Sequence, residues 1–369
     1  MRNPAKYLCR FLCATAVLII AAVALTFAVD PLQLFRPARL FAAMYSQDSR
    51  MQNAGLIRSQ PFDTVFMGTS LAIHYRQSDI DRQLGGRSLK LAMPGATSKE
   101  QKFVLDAAMA GHPRRVVWQM DDWIFRASPD VDADNSFVPV NLYRRNASGI
   151  AGYLLSGSMA RESLWIALRS IPPLTPLVAR LTNGVMFRFP IADIDDVNAL
   201  SPRFDVAGFY NARNAMTAFR RITDPVRSSY LAGGYDYTEM LAAFERDAIG
   251  LIRSNPDVTF DIYFPPYSIL QFVAMREASP ATLKIVYDFT SHAFARLTGF
   301  SNVRLYDFRE ASEITHDLNN YGDVIHHSPA VDLKILGMLA EKKYLVDRAA
   351  PNASLERLKA QVEAYQVPR

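Results

Sequence analysis

Residues 62–75, FDTVFMGTSLAIHY, decide the fold. The apolar, β-prone run through Val65, Phe66 and Met67 stops at Gly68, Thr69 and Ser70, which reads as a buried strand ending in a small-residue turn. Open α/β sheets bind their ligands beyond the carboxyl ends of their strands, so this turn delivers a serine hydroxyl to that edge. A hydroxyl is a weak nucleophile without a base. The far end of the chain supplies one in NNYGDVIHHSP (319–329), where Asp323 and His326 are spaced D-x-x-H in a polar loop before an apolar helix. One short segment can therefore carry both a general base and the carboxylate that orients it.

Working outward from the first strand, Gln77–Leu84 has helical character, and SLKLAMPG (88–95) is a second strand closed by Pro94 and Gly95. A helix follows from Ser98, its expected cap, through Phe103, Val104, Ala107 and Ala108 to Gly111. RRVVWQM (114–120) is a third strand, and this βαβ alternation predicts a parallel sheet with helices on both faces. From Arg126 to about Pro256 strands are scarce. Ile150–Ile171 and Tyr237–Ile252 have helical periodicity, broken by IPPLTPLV (171–178), so this stretch reads as a largely helical insertion able to cover the sheet edge. The sheet resumes with VTFDIYFPPYS (258–268), a helix through Thr282–Leu297 and a last strand, NVRLYDF (302–308). Helices over Ala330–Ala340 and Ser354–Tyr365 end the chain. The expected organisation is an N-terminal segment (1–30), a connector (31–60), an α/β domain (61–350) with its insertion at about 126–256, and a helical tail (351–369).

With 369 residues, half of them apolar, the chain can bury a sizeable core. A net charge of +5, with no basic run interleaved with aromatics, argues against nucleic acid as a partner. The two cysteines, Cys9 and Cys13, both precede the main domain, which excludes a disulfide framework, a thiolate metal site and a cysteine nucleophile there. They read as small hydrophobes entering a helix, with lipid modification as the alternative. Arg2, Lys6 and Arg10 precede an uncharged run from Phe11 to Val29, closed by Asp30 and Pro31. That length suits a transmembrane helix, and the basic flank places residue 1 in the cytoplasm and the main domain outside. A cleaved signal peptide is the alternative, but the apolar stretch exceeds the usual signal core, which favours a retained anchor.

The order strand, G-x-S; strand, Gly; strand with a polar end; and C-terminal D-x-x-H resembles the SGNH (GDSL-like) hydrolase superfamily. With the N-terminal anchor, the helical insertion and the Tyr321, Asp323, His326 and Ser328 segment, it looks like the membrane-anchored branch that includes alginate-type polysaccharide O-acetyltransferase and teichoic acid D-alanylation proteins. The resemblance spans roughly residues 60–345. It implies a flavodoxin-like three-layer α/β/α sandwich, with Ser70 as nucleophile, His326 as base and Asp323 as its orienting carboxylate. The backbone N–H groups of Ser70 and Gly95 would form the oxyanion hole. The superfamily's third-block asparagine is missing from QMDDW (119–123), where Gln119 or a protonated Asp121 stands near its place. An ionised Asp121 would repel the developing negative charge. The resemblance further implies a serine O-acyltransferase or esterase, without a cofactor, working on acetyl or similar groups of a cell-surface or secreted polysaccharide at the outer side of the plasma membrane. A transferase would draw its acyl group from a polytopic membrane acyltransferase. A plain deacetylase and a non-catalytic polysaccharide-binding scaffold are the other readings.

Further candidates are weaker. His74 is expected on the helix after Ser70 as a structural or surface histidine. Tyr143, Arg144 and Arg145, and Asn211, Arg213 and Asn214, are candidates for contacting a carbohydrate or anionic polymer, against the commoner explanation of a solvated face. Phe264–Tyr267 closes a strand and could wall an acceptor cleft. Asp130, Asp132 and Asp134 resemble the start of a calcium loop, but Asn135 replaces its glycine and Asn141 its final glutamate. His316, Asp323, His326 and His327 are suitable metal ligands by type but lack a metal-site spacing, so no metal is expected.

Overall fold

A computed structural model describes residues 4–126, 138–144, 146–181, 188–189, 191–196, 208–224 and 233–368. The chain forms two compact units, residues 1–61 with 137–199 and residues 62–136 with 200–369. Asp130, Asp132, Asp134, Asn135 and Arg145 lie outside the described residues.

The second unit is built on five strands: β1 (Thr64–Met67), β2 (Ser88–Lys90), β3 (Arg115–Gln119), β4 (Thr259–Phe264) and β5 (Val303–Asp307). All pair in parallel, in the order β2-β1-β3-β4-β5. This is the flavodoxin-like doubly wound order. The chain reverses its direction of winding between β1 and β3, which opens a crevice at their carboxyl ends. Apolar residues on both sides of each strand explain the burial of both sheet faces. Phe66, Val117, Tyr263 and Tyr306 pack on one face against Ile80 and against Val331, Ile335 and Leu336 of the Pro329–Glu341 helix. Trp118 and Phe264 point the other way: the Trp118 indole N–H donates to Gln101 Oε1 at 2.7 Å, and the Phe264 ring lies 5.1 Å from that of Phe294. Helices therefore cover both faces, as the strand–helix alternation predicts.

Most periodic segments are helices: Gln77–Leu84, Ser98–Met109, Pro280–Thr298, Pro329–Glu341 and Ala353–Ala364. Tyr237–Phe244 and Gly250–Ser254 are joined through a π-helical turn at Glu245–Ile249. The helix after β2 is capped one residue earlier than expected. Thr97 and Glu100 exchange side-chain and backbone hydrogen bonds in a capping box, while the Ser98 hydroxyl donates to buried Asp247 at 2.6 Å. Two helices, Ala212–Thr223 and Ile269–Ala278, have no counterpart in the periodicity reading. Ile269–Ala278 is buried from Ile269 through Met275, so it has no polar face to set a period. Ala212–Thr223 buries Ala215, Ala218, Phe219 and Ile222 on one face, with arginines at 213, 220 and 221 elsewhere on the helix.

The first unit contains the Pro4–Val29 helix, which is long and apolar enough to cross a membrane. Connector residues 31–60 contain one helix, Ser49–Ser59, capped by Asp48. They pack with Ala147–Leu154 and Gly157–Arg169 around Val29, Leu32, Leu34, Met44, Met159 and Ile166. Asp30 adopts φ 50°, and its carboxylate accepts from the Leu34 and Phe35 N–H groups and from the Tyr153 hydroxyl. The Arg36 guanidinium donates to the carbonyls of Phe27 and Ala28, closing the helix end.

Candidate active site

Ser70 opens a short 3-10 turn, Ser70–Ala72, directly after β1. Gly68 makes that turn possible, since an added Cβ would stand 2.5 Å from Ala72 Cβ and 2.6 Å from Gln119 Oε1. The Ser70 Oγ lies 3.0 Å from His326 Nε2, and His326 Nδ1 lies 2.7 Å from Asp323 Oδ2. The other Asp323 oxygen accepts from the backbone N–H groups of Ile325 and His326 at 2.8 and 2.7 Å. The 323–326 loop is pinned from both sides. Gly322 N–H donates to the His326 carbonyl at 3.0 Å, and the buried Tyr321 hydroxyl donates to the Pro266 carbonyl at 2.7 Å. Burial alone would raise the Asp323 carboxyl, but its hydrogen bonds from His326 and Ile325 outweigh that and hold it below the usual carboxylate value. An ionised Asp323 fixes the His326 tautomer with the proton on Nδ1, leaving Nε2 free to accept from the serine.

Gly95, at the turn after β2, has φ +66°, a conformation that favours glycine, and it lines the same cavity as Ser70. Neither the Ser70 nor the Gly95 backbone N–H donates a hydrogen bond among the described residues. Two unused donors lining a cavity with a serine hydroxyl are suited to receive a developing oxyanion.

The structure does not bring Gln119 or Asp121 to the cavity. Both are wholly buried behind the Ser70 turn. Asp121 accepts from the Tyr267 hydroxyl at 2.6 Å, the Thr69 hydroxyl at 3.0 Å and the Gln119 amide at 3.0 Å. Its pKa is pushed up to about 6, chiefly by burial. The Gln119 amide is occupied by Asp121 and Thr69, and its Oε1 is buried without a hydrogen-bond partner among the described residues. This network supports the Ser70 turn from beneath, and neither side chain is placed to donate to a substrate. The residues after β3 that do line the cavity are Asp122, Trp123 and Arg126.

His327 is buried, with Nδ1 3.2 Å from Asp332 Oδ1. Burial lowers His327 to about 3 and raises the Asp332 carboxyl well above its usual value, which favours the uncharged form of each. His74 is buried in the loop before Gln77–Leu84 and not on that helix, because the 3-10 turn ends at Ala72. Burial, with the nearby His326 and Lys90 charges, lowers it to about 4. The His316 ring stacks edge-on to Tyr365 at 5.2 Å. No group of three or more His, Cys, Asp or Glu among the described residues is placed to hold a metal ion.

The cavity has a volume of about 810 Å³. Its walls come from the loop after β3, the Ala212–Thr223 and Ile269–Ala278 helices, and the 322–326 loop. Arg126 donates to the Gly233 carbonyl at 3.1 Å and lies 5.8 Å from the Trp123 ring centre and 5.2 Å from that of Tyr235. Arg221 lines the cavity, and its guanidinium makes no hydrogen bond or ion pair among the described residues. No protein-family model and no curated protein matches the chain.

Of the sequence-predicted binding residues, Arg213 is exposed and does not line the cavity, whereas Asn214 beside it does. Asn211 caps the Ala212–Thr223 helix. Tyr143 and Arg144 belong to the other unit, where the Tyr143 hydroxyl donates to the Arg50 carbonyl at 2.8 Å. Sequence reading missed Trp123, Arg126, Arg221 and Tyr235. The one signal for Arg221 was the 3–4 spacing of Asn214, Thr217 and Arg221 along one helix face.

Proposed function

We propose that this chain is a membrane-anchored, extracytoplasmic serine O-acyltransferase or esterase of the SGNH type, acting on short acyl groups, acetyl first among them, of a cell-surface or secreted polysaccharide. The carrying observation is the Ser70–His326–Asp323 chain of hydrogen bonds, opening with two unused backbone N–H groups onto one cavity. Ser70 Oγ attacks the ester carbonyl carbon as its proton passes to His326 Nε2. The N–H groups of Ser70 and Gly95 hold the resulting oxyanion, and Asp323 stabilises the imidazolium. Collapse releases the first alcohol, protonated by His326, and leaves an acyl-serine. A second alcohol, deprotonated by His326, then takes the acyl group in transfer, and water takes it in hydrolysis. This oxyanion hole has two backbone donors, without the third side-chain donor of the SGNH pattern.

The polysaccharide assignment draws on the cavity. Its volume suits an oligosaccharide segment, Trp123 and Tyr235 offer flat apolar faces to sugar rings, and Asn214, Gln271 and Arg221 offer polar groups to hydroxyls. The outer location draws on Lys6 and Arg10 preceding the apolar run. A transferase at that location needs a membrane partner to deliver the acyl group, because acetyl-CoA is cytoplasmic.

The test is to incubate the full chain in detergent micelles with an activated acetyl ester, with and without an acetylatable oligosaccharide, and follow ester cleavage and intact mass. The expected result is turnover or an acetyl adduct that Ser70→Ala abolishes, and an acetylated acceptor would assign transfer over hydrolysis. Equal inertness of parent and Ser70→Ala, with polysaccharide still bound, would replace catalysis by a scaffold role.

A further inference from the structure

The first unit carries an apolar surface for which the active site has no use. Bilayer hydrocarbon is about 30 Å thick and takes about 20 helical residues to cross. The uncharged run Phe11–Val29 matches that thickness. The helix stands largely exposed from Pro4 to Ala21, about 27 Å of rise. Beyond it Leu25 and Val29 pack into the unit's own core, with the Gly157–Arg169 helix running against Pro4–Val29. The unit covers the last turns of the helix, so the helices that cover them stand where the span leaves the outer leaflet. The Asp30 and Arg36 hydrogen bonds hold the helix end to the unit, which rules out a loose tether at that point.

The outward side chains of this region suit that depth. Leu155, Leu164, Ile171 and Leu177 are 63%, 51%, 45% and 53% exposed, where a water-facing surface would favour polar groups. IPPLTPLV (171–178), which only interrupts the helical pattern in sequence, contributes two of the four. Residues 138–181 contain Arg144, Arg145, Arg161, Arg169 and Arg180 against one acidic residue, Glu162. Glu162 is fully buried and paired with Arg161. Exposed apolar side chains in a segment with five arginines and no exposed carboxylate fit an interface of acyl chains and anionic headgroups.

We infer that the Ala147–Leu154, Gly157–Arg169 and Thr175–Leu181 helices lie in the outer interfacial layer of an anionic bilayer, so that a three-helix foot holds the chain as well as a span. The inference rests on the anchor reading of Pro4–Val29 and is independent of the chemistry at Ser70.

The test is to reconstitute the full chain, in a Cys9→Ser, Cys13→Ser background, into phosphatidylcholine–phosphatidylglycerol vesicles, with single nitroxide labels at Leu164→Cys, Leu177→Cys, Leu18→Cys and Leu345→Cys. Leu18 reports the span, and Leu345 is a water-exposed reference on the second unit. Positions 164 and 177 are expected to collide with oxygen in preference to a water-soluble nickel chelate, with a ratio several-fold above that at 345 and below that at 18. A ratio at 164 and 177 equal to that at 345, with 18 in lipid, would overturn the foot alone. Water exposure at 18 would overturn the anchor and the foot together.

Discussion

Ser70 and His326, separated by 256 residues of chain, meet at 3.0 Å between Oγ and Nε2. His326 is held to that register by Asp323, which accepts from both its ring and its backbone N–H. If this contact is the proton path, Ser70→Ala and His326→Ala should each lower kcat/KM on an activated acetyl ester by about 10³-fold or more. Asp323→Asn should lower it by about 10²-fold or more, because the imidazole loses its tautomer control. Circular dichroism should show all three variants folded, and a His326→Ala enzyme with parental turnover would remove histidine from the mechanism.

His327 stands next to His326 in sequence and is placed differently in the fold. It is buried against Asp332, whose carboxyl oxygens have no hydrogen-bond partner among the described residues, so His327→Ala opens a buried cavity beside them. The expected cost is about 2 kcal/mol of stability, read from denaturant unfolding, with kcat of the folded fraction within a few-fold of the parent. A loss of kcat as large as that of His326→Ala would place His327 in the chemistry.

Asp121 should make stability fall as pH rises, the reverse of the usual carboxylate. Its folded pKa is raised from 3.8 to about 6 by burial, so the folded state keeps a proton that the unfolded state has already released. That contribution is fully present below pH 3.8 and is lost as pH rises through about 6. Relative to Asp121→Asn, the parent should lose on the order of 2 kcal/mol between pH 4 and 7. Urea titrations of both proteins across that range give the difference directly, and a rising or flat difference would contradict the assignment.

Arg309 is 1% exposed and binds Asp307 through Nε at 2.7 Å and Nη2 at 3.0 Å, with its guanidinium over the Phe264 ring. Removing one partner leaves a buried charge. Arg309→Met should therefore destabilise by about 3–5 kcal/mol, while Arg309→Met with Asp307→Leu should recover much of the loss. Equal losses in the single and double variants would show that packing, and not the abandoned charge, sets the cost.

Arg221 lines the cavity wall and is not a hydrogen-bond partner of Ser70, His326 or Asp323. Arg221→Ala should raise KM for an oligosaccharide acceptor several-fold and leave cleavage of a small activated ester unchanged. A matching fall in both activities would mean that the substitution disturbs the Ser70 site itself.

Local signals carried much of this protein. Strand ends at Gly68 and Gly95, the alternation of apolar strands with helical stretches, and the D-x-x-H spacing depend on residues close together in the chain, and they led to the parallel sheet and to Ser70, Asp323 and His326. Spacing also separated His326 from His327, because in a short loop it sets which ring reaches the carboxylate. Gln119 and Asp121 looked available for an oxyanion because sequence does not show what lies behind a strand end. Thr69 and Tyr267 take up their hydrogen-bonding capacity from 50 and 146 residues away. Trp123, Arg126, Arg221 and Tyr235 come from separate segments with no shared motif, so only their convergence in the fold marks them. Sequence by itself determined the five strands, several of the helices around them and which residues have side chains of the types that catalysis uses. Tertiary structure decided which of them are buried, which share a cavity and which stand exposed, since burial and long-range contact are properties of the packed chain.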